Sequence, residues 1–559
     1  MHWVTVAVWG VCVCVIAAVW SYDRRKAPRP RAPWPHWPDD ERDLTLISRY
    51  ARARAGGSDA GLMDDRTWTD LNLDDVFRVL DRAESRVGQQ VLYGRLRSAP
   101  VAAHADVFER LVTRLETDPA ARAAAADTLG RMRSVDAHDV WWLTEPGTFE
   151  VRPWHVVFPS LAATMIGVAL AGAVYPALLL LLVAGSLVSV ALRATAASDL
   201  RIAVGAFRGV EPILRAADAL RPLVTGHEAL LAPLQLVGDL AMLRRVARWA
   251  GRDTSGAVSG ELSSTIFEYL NLVFALDGNA LFFGARQLRA HGEALAAVMQ
   301  AVGEVDAALS VASYRTATPG WTRPTFRTSG PATFEALRHP LVPDAVPNTI
   351  ALGPPQGLIL TGSNMSGKTT FLRTLGVNVV LAQTIRTCLC ARYEAPTLVV
   401  RSCIGRGDDP ASGRSYYLVE VQAVLALVEA ARDARPHLFL FDELFRGTNT
   451  VERIAAGDAV LASLAEPPAG HRTSPHIIVA ATHDLELVEL LSDRYAAFHF
   501  TDRVGSDGLE FDYQLQPGPS LTRNAIALLR VRGAPAALVA RAIARADQLD
   551  AARRETAPP

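Results

Sequence analysis

Leu358-Ile-Leu-Thr-Gly362-Ser-Asn-Met-Ser-Gly367-Lys368-Thr-Thr-Phe-Leu-Arg-Thr374 sets an apolar strand, a glycine-bounded loop and a helix start in immediate succession. The spacing from Gly362 to Thr369 is that of a P-loop, in which inward-turned backbone N–H groups hold phosphates, Lys368 reaches the terminal ones and Thr369 ligates Mg2+. Lys26 and Lys368 are the two lysines among 57 basic residues. Arginine has taken every other cationic position, and a compact ammonium is kept where phosphate needs a point charge. The stretch points to a nucleotide-binding ATPase using ATP and Mg2+.

Its companions follow in order. Apolar runs at Gly357 to Leu360, Thr397 to Val400, His437 to Phe441 and Ile477 to Ala481 alternate with helical patterns. They predict an α/β domain whose parallel sheet carries helices on both faces. The third run ends in Asp442-Glu443, where a Mg2+-holding acid (Asp442, sharing the ion with Thr369) and a water-polarising base (Glu443) are needed. The fourth ends in Thr482-His483, a histidine placed to position the γ-phosphate. Ser415, after Asp408-Asp409 and before the helical run Tyr417 to Glu429, reads equally as an anion donor at a helix N-terminus or as an N-cap.

The 559 residues suffice for two or three domains, and half of them are hydrophobic. His2 to Tyr22 carries no ionised side chain and can cross a bilayer core of about 30 Å. Lacking a basic leader and a small-x-small site, it reads as an uncleaved anchor over 1–22 rather than a signal peptide. Residues 23–64 hold a linker, stiffened by Pro28, Pro30, Pro33, Pro35 and Pro38, and the start of a helical region. A second charge-free stretch between Arg152 and Arg193, broken by Tyr175-Pro176, predicts a transmembrane hairpin over 153–194; a buried hairpin of a soluble protein is the other reading. Basic residues after the first span place that flank, and with it the ATPase, in the cytoplasm of a multi-pass cell-membrane protein. Helical spacing predicts an all-α core in two parts, 65–152 and 195–330. The net charge of −1 gives no global attraction to nucleic acid, although local arginine patches are open. Cys12, Cys14, Cys388, Cys390 and Cys403 lack zinc-ligand spacing and read as reduced structural thiols.

Several blocks together resemble the MutS family of DNA mismatch repair ATPases. Arg338-His-Pro340 with Val346-Pro-Asn348 resembles the entry to that family's ATPase, which implies that Asn348 lies near the adenine. Thr361 to Thr370 resembles its P-loop, including Asn364-Met365, and implies nucleotide contacts from Gly362, Ser363, Asn364, Met365, Ser366, Gly367, Lys368, Thr369 and Thr370. Gly407 to Ser415, continuing to Glu420, resembles its signature loop. Asp442-Glu443 with Arg446-Gly-Thr448 resembles its Walker B and dimer-contact segment, Thr482-His483 its switch histidine, and Asn524 to Leu549 its helical end. The resemblance covers about 334–549. It implies Glu443, Lys368 and His483 as catalytic residues and a head-to-tail homodimer in which Ser415 completes the partner's ATP site.

The chain also departs from that pattern. Ser363 and Ser366 stand where proline and glycine are usual, and Tyr416-Tyr417 where Thr-Phe is usual. The stretch before residue 65 has no room for a mismatch-reading domain and its Phe-x-Glu wedge. Two functions stay open: ATP-dependent binding of double-stranded DNA at mismatches or damage, and a mechanochemical membrane ATPase that switches a protein partner without DNA. Three spans give a dimer only six, which argues against an ABC-class transporter.

Overall fold

Leu, Ala and Val repeating at three- and four-residue intervals make the first half of the chain helical, whereas short β-branched runs separated by helices make the second half α/β. The computed structural model describes residues 34–35, 42–54, 63–98, 102–133, 137–145, 152–250, 268–328, 330–353, 357–363, 366–404, 416–433, 435–467, 474–504, 509–520 and 524–556. The expected first span (1–22) and most of the proline-rich linker lie outside them. The chain divides into two compact units: residues 1–54, 81–94 and 106–317, and residues 55–80, 95–105 and 318–559.

The first unit is all-helical among its described residues. Its longest element, Leu276–Ala317, bends at His291 (φ −134°, ψ 16°) and buries Leu295, Val298, Val302, Val305 and Leu309 along one stripe. That stripe also buries Asp306 completely. The Asp306 carboxylate accepts from Glu84 N (2.9 Å), Ser85 N (2.8 Å) and Ser85 Oγ (2.6 Å). Ser85 Oγ in turn accepts from Gly88 N at 3.1 Å, which caps the helix Arg86–Arg97. A Cβ on Gly88 would stand 2.2 Å from Asp306 Oδ2, so this crossing requires glycine. Burial pushes the Asp306 carboxyl up to about 7 against the pull of these donors. Arg315 is buried between Glu109 (2.6 Å) and Glu116 (3.3 Å).

The charge-free stretch forms two helices, Val157–Gly172 and Leu180–Thr195. They approach where side chains are small: a Cβ on Gly185 would lie 2.1 Å from Met165 Sδ. The outward faces are apolar, with Leu170 68%, Leu180 75% and Leu187 69% exposed. At the base, Arg193 pairs with Asp277 at 2.9 Å, and Asp277 also accepts from Asn271 Nδ2 at 2.6 Å. Among the described residues, Pro153–Gly172, Pro176–Thr195 and Leu276–Ala317 are long and apolar enough to cross a membrane. The third is largely covered by its own unit and carries Asp277, Arg286, Arg289 and Glu293, which marks it as a core helix.

The second unit holds ten strands among its described residues: β1 (Thr325–Phe326), β2 (Ala332–Leu337), β3 (Asn348–Leu352), β4 (Gly357–Thr361), β5 (Arg392–Ala395), β6 (Val399–Cys403), β7 (His437–Asp442), β8 (Ile477–Ala481), β9 (Tyr495–Val504) and β10 (Leu509–Pro517). The main sheet runs β10-β9-β4-β8-β7-β6, and a second runs β1-β5-β2-β3. The expected parallel sheet is therefore mixed: β9 is parallel to β4, but β10 is antiparallel to β9. The run expected from Thr397 starts its ladder at Val399. The Gln383 side chain takes both backbone groups of Leu398, accepting from its N at 2.6 Å and donating to its O at 2.9 Å.

A larger difference concerns residues 65–80, read as the opening of the helical core. Helix Asp65–Asp70 instead covers β6, an edge strand of the main sheet. Asp70 accepts from Ser402 Oγ (2.9 Å) and Ile404 N (2.8 Å), Thr67 Oγ1 accepts from Ser402 N (3.0 Å), and Asp64 pairs with Arg401 (2.6 Å). Edge donors that would otherwise face solvent are thereby satisfied. Leu71 sits where a Cβ on Gly376 would be, 2.6 Å from Leu71 Cδ2.

Two outcomes are expected. Gly88→Ala, which drives a methyl into Asp306, lowers the apparent melting temperature of the purified chain by several degrees, equivalent to about 2 kcal/mol; an unchanged melt would refute the tight crossing. Burial holds His437, stacked on Phe439, down at about 4. The unfolded chain takes up that proton near 6.5 and the folded chain only near 4, so stability is lost as pH falls between those values, by up to ~3 kcal/mol. His437→Leu is expected to flatten that slope in melts recorded from pH 7 to pH 4.

Candidate functional site

The site forms where β4, β7 and β8 end. Strand β4 pairs with β8 (Leu360 opposite Ala481), and β8 pairs with β7 (Ala481 opposite Asp442), so three strand ends lie side by side. The chain leaves β4 through Gly362, φ 139°, and enters helix Lys368–Ile385 through Gly367, φ 110°. Both values lie where L-residues are strained. A Cβ on Gly362 would also fall 2.8 Å from Ser366 Oγ and 3.0 Å from Phe500 O, and one on Gly367 would fall 3.2 Å from the Tyr513 ring. Neither glycine end of the loop thus admits a side chain without displacing a neighbour, which leaves a glycine-ended cradle.

Lys368 is 5% exposed. Its Nζ donates to Gly362 O (2.9 Å) and Ser363 O (2.8 Å), which folds the ammonium back over the loop. Ser366 is buried, its N donating to Ser363 O at 3.3 Å, while Thr370 is exposed on the first helical turn. Asn364 and Met365 lie outside the described residues, as does Ser415 with the rest of 405–415.

Thr369 Oγ1 donates to Asp442 Oδ2 at 2.6 Å. Glu443, next in the chain, has φ 55°; its N donates to Ala481 O at 2.9 Å, and its carboxylate meets His483 Nε2 (2.9 Å) and Arg446 Nη1 (2.8 Å). The two adjacent carboxyls are driven apart. Burial pushes Asp442 up, partly countered by the Thr369 hydroxyl; the His483 bond holds Glu443 down, against burial. Thr482 N donates to Leu360 O at 2.9 Å, and Asp484 beyond it is gripped by Arg453 at 2.8 and 2.6 Å, so His483 stands on a pinned turn.

Asn348 plays a part that sequence reading did not foresee. Its Oδ1 accepts from Leu515 N at 2.7 Å and its Nδ2 donates to Tyr513 O at 3.0 Å. The carboxamide thereby replaces strand partners where the β9–β10 register shifts, between Phe511 and Leu515, and fixes Tyr513 at φ 53° beside Gly367. Tyr513 is 45% exposed, an aromatic face against the cradle. Its sequence signal, one tyrosine in a polar strand, is too weak to single it out.

A glycine cradle with a lysine, a hydroxyl–carboxylate pair beside it, a second carboxylate held ionised and an exposed ring can together take an oligophosphate ester of an aromatic base. No group of three or more His, Cys, Asp or Glu able to hold a metal occurs among the described residues. That suits Mg2+, which is commonly held by one or two protein oxygens together with substrate phosphates. Cys388, Cys390 and Cys403 are buried and form no disulfide among the described residues, and burial pushes the Cys403 thiol up to about 11.

Residues 358–550 match the family model described as MutS domain V. Among curated relatives, the DNA mismatch repair protein MutS of Synechococcus sp. (strain JA-2-3B'a(2-13)) is 33% identical over 274 residues, covering 47% of this chain and 30% of that protein. The DNA mismatch repair protein MutS 2 of Halobacterium salinarum shows the same identity and coverage, 33% over 274 residues, 47% and 30%. The DNA mismatch repair protein MutS of Thermus aquaticus is 32% identical over 271 residues, 47% of this chain and 31% of that protein. The chain thus spans less than a third of the length of these relatives. The likeness is to MutS proteins, and the family model is confined to residues 358–550 of this chain.

Asn348→Ala removes the partner of Leu515 N, and an apparent destabilisation of about 1–3 kcal/mol is expected. Faster hydrogen exchange at the Leu515 amide is the direct check; exchange at the wild-type rate would show that Asn348 does not hold this strand.

Proposed function

We propose that this chain is a MutS-like ATPase held at a membrane by its helical unit. The observation that carries the enzymatic half is the convergence, at three neighbouring strand ends, of the Gly362–Gly367 cradle, Lys368, the Thr369–Asp442 pair and the Glu443–His483 pair. ATP is the substrate, with its phosphates in the cradle; the Lys368 ammonium exchanges its two backbone carbonyls for phosphate oxygens. Mg2+ bound with the nucleotide neutralises phosphate charge, and Thr369 and Asp442 are the residues that would hold it. Glu443, kept ionised by His483 and Arg446, orients a water molecule and receives its proton. The water oxygen bonds to the terminal phosphorus as the bond to the ADP oxygen breaks. Tyr513 offers a face on which the base can stack. By resemblance, Ser415 of a second copy completes the site in a homodimer.

The membrane half rests on the paired apolar helices Pro153–Gly172 and Pro176–Thr195, each 20 residues long, or about 30 Å of helix at 1.5 Å per residue. Arg152 and Arg193 bracket the hairpin while its turn, Ala173 to Ala177, is uncharged. That asymmetry supports a cytoplasmic base and a cytoplasmic ATPase. What the enzyme acts on has two readings. The relatives bear the name of DNA mismatch repair proteins, which favours DNA; the lipid-suited hairpin within the helical unit favours a membrane switch that works on a protein partner.

Glu443→Gln is expected to bind ATP with wild-type affinity yet hydrolyse it at least about a hundredfold more slowly; an unaltered rate would remove Glu443 from this role. Hydrolysis by the full-length protein in detergent, with matched duplex, mismatched duplex or no DNA at moderate salt, separates the two readings. Stimulation preferring mismatches supports DNA handling, and indifference supports the membrane switch. Extraction from membranes by carbonate rather than by detergent would overturn the hairpin's assignment.

A further inference from the structure

Helix Tyr416–Ala430 begins directly after residue 415, and its inward-facing Glu420 is 6% exposed. Glu420 Oε1 accepts the backbone N–H of Phe445 at 2.6 Å. Phe445 lies two residues beyond Glu443, in the turn that links β7 to helix Thr450–Ala465. That turn is conformationally unusual: Glu443 (φ 55°) and Phe445 (φ 57°) both occupy the left-handed region with full side chains. Backbone of this kind persists only where its surroundings over-determine it. One hold is Glu443 N on Ala481 O. A second is burial of the Phe445 side chain in the apolar cluster that also holds Val424, Leu461 and Leu487. The third is Glu420, and it is the hold that reaches the turn from the helix following the 405–415 segment.

We propose that Glu420 is a positioning residue for Glu443, tying the helix that follows the signature-like segment to the carboxylate that orients water. The inference rests on the ATPase reading above and assigns Glu420 no contact with nucleotide. Without the acceptor, the Phe445 N–H is left buried with no partner at this point. The turn relaxes, and Glu443 loses the placement on which in-line attack depends; small displacements there cost large factors in rate. Because the donor is backbone, no side-chain change at residue 445 other than to proline removes this bond, and the control lies with Glu420. Burial pushes the Glu420 carboxyl up, while the Phe445 and Arg446 amides and Arg66 pull it down. A neutral amide at this position retains the acceptor oxygen that matters.

The test compares full-length, detergent-purified wild type with Glu420→Ala, Glu420→Asp and Glu420→Gln, reading kcat and KM for ATP, the Kd of a fluorescent ATP analogue and the melting curve. Ala, and Asp with its shorter reach, are expected to lower kcat at least about tenfold while the nucleotide Kd stays within about twofold; Gln retains most of the wild-type kcat. Should Ala fail to fold, Asp carries the same expectation. Turnover within about twofold of wild type in Ala or Asp, or a Gln variant as slow as these, would overturn the assignment while leaving the ATPase reading intact. A wild-type protein that does not hydrolyse ATP would overturn both.

Discussion

The hydrogen bond from Thr369 to Asp442 is the constraint on which the α/β unit's chemistry depends. Strands β4 and β7 are not neighbours; β8 runs between them. A bond from the first turn after β4 to the end of β7 therefore spans the whole width of β8 and fixes three strand ends against one another. With Asp442 held in that way, the next residue must turn sharply, and it does so in the left-handed region with its N–H on Ala481 O. The Glu443 carboxylate then meets the histidine two residues past that same alanine. The carboxyl pair, the histidine and the glycine-walled loop are thus consequences of one register, and a slip of one residue in β8 would separate all of them.

What could be read in the chain and what could not divide along a physical line. Gly362, Asp442, Glu443 and His483 were legible because each stands within two residues of an apolar strand end, and Gly367, Lys368 and Thr369 because their spacing from Gly362 is that of a phosphate-binding loop leading into a helix. Glu420 and Tyr513 were not, because their roles depend on atoms far along the chain, the Phe445 backbone N–H for one and the Asn348 side-chain carboxamide for the other. The β9–β10 hairpin escaped for a related reason: its polar residues alternate on a half-exposed edge, and the resulting mixed sheet differs from the parallel one expected. Asn364, Met365 and Ser415 fall outside the described residues and stand as expectations.

The helical unit solves a different problem. A 42-residue helix with a fully buried aspartate would be costly unless that charge were answered. Ser85 answers it while using the same hydroxyl to cap a neighbouring helix, so one oxygen serves two unsatisfied ends. The glycine at residue 88 is the steric condition for that economy. The paired apolar helices need no such device, since their inner contacts set glycine against apolar side chains, Gly185 on Met165 and Gly172 on Leu179, and their outer faces are largely apolar.

The helix Asp65–Asp70, laid along β6, has a consequence for how this protein can be made and divided. Its partners Arg401, Ser402 and Ile404 are more than three hundred residues downstream, and Arg373 Nε donates to Asp70 O at 2.8 Å from helix Lys368–Ile385. During synthesis the early segment must therefore wait, unpartnered, until the C-terminal half has emerged, which places the slow closure of a long loop at the end of folding. The α/β unit is discontinuous in the chain. A fragment cut at residue 318 or 334 would begin life with an open sheet edge and a vacant groove over Gly376, inviting self-association, whereas the same fragment supplied with residues 63–80 as a separate peptide would regain the missing side of its own fold.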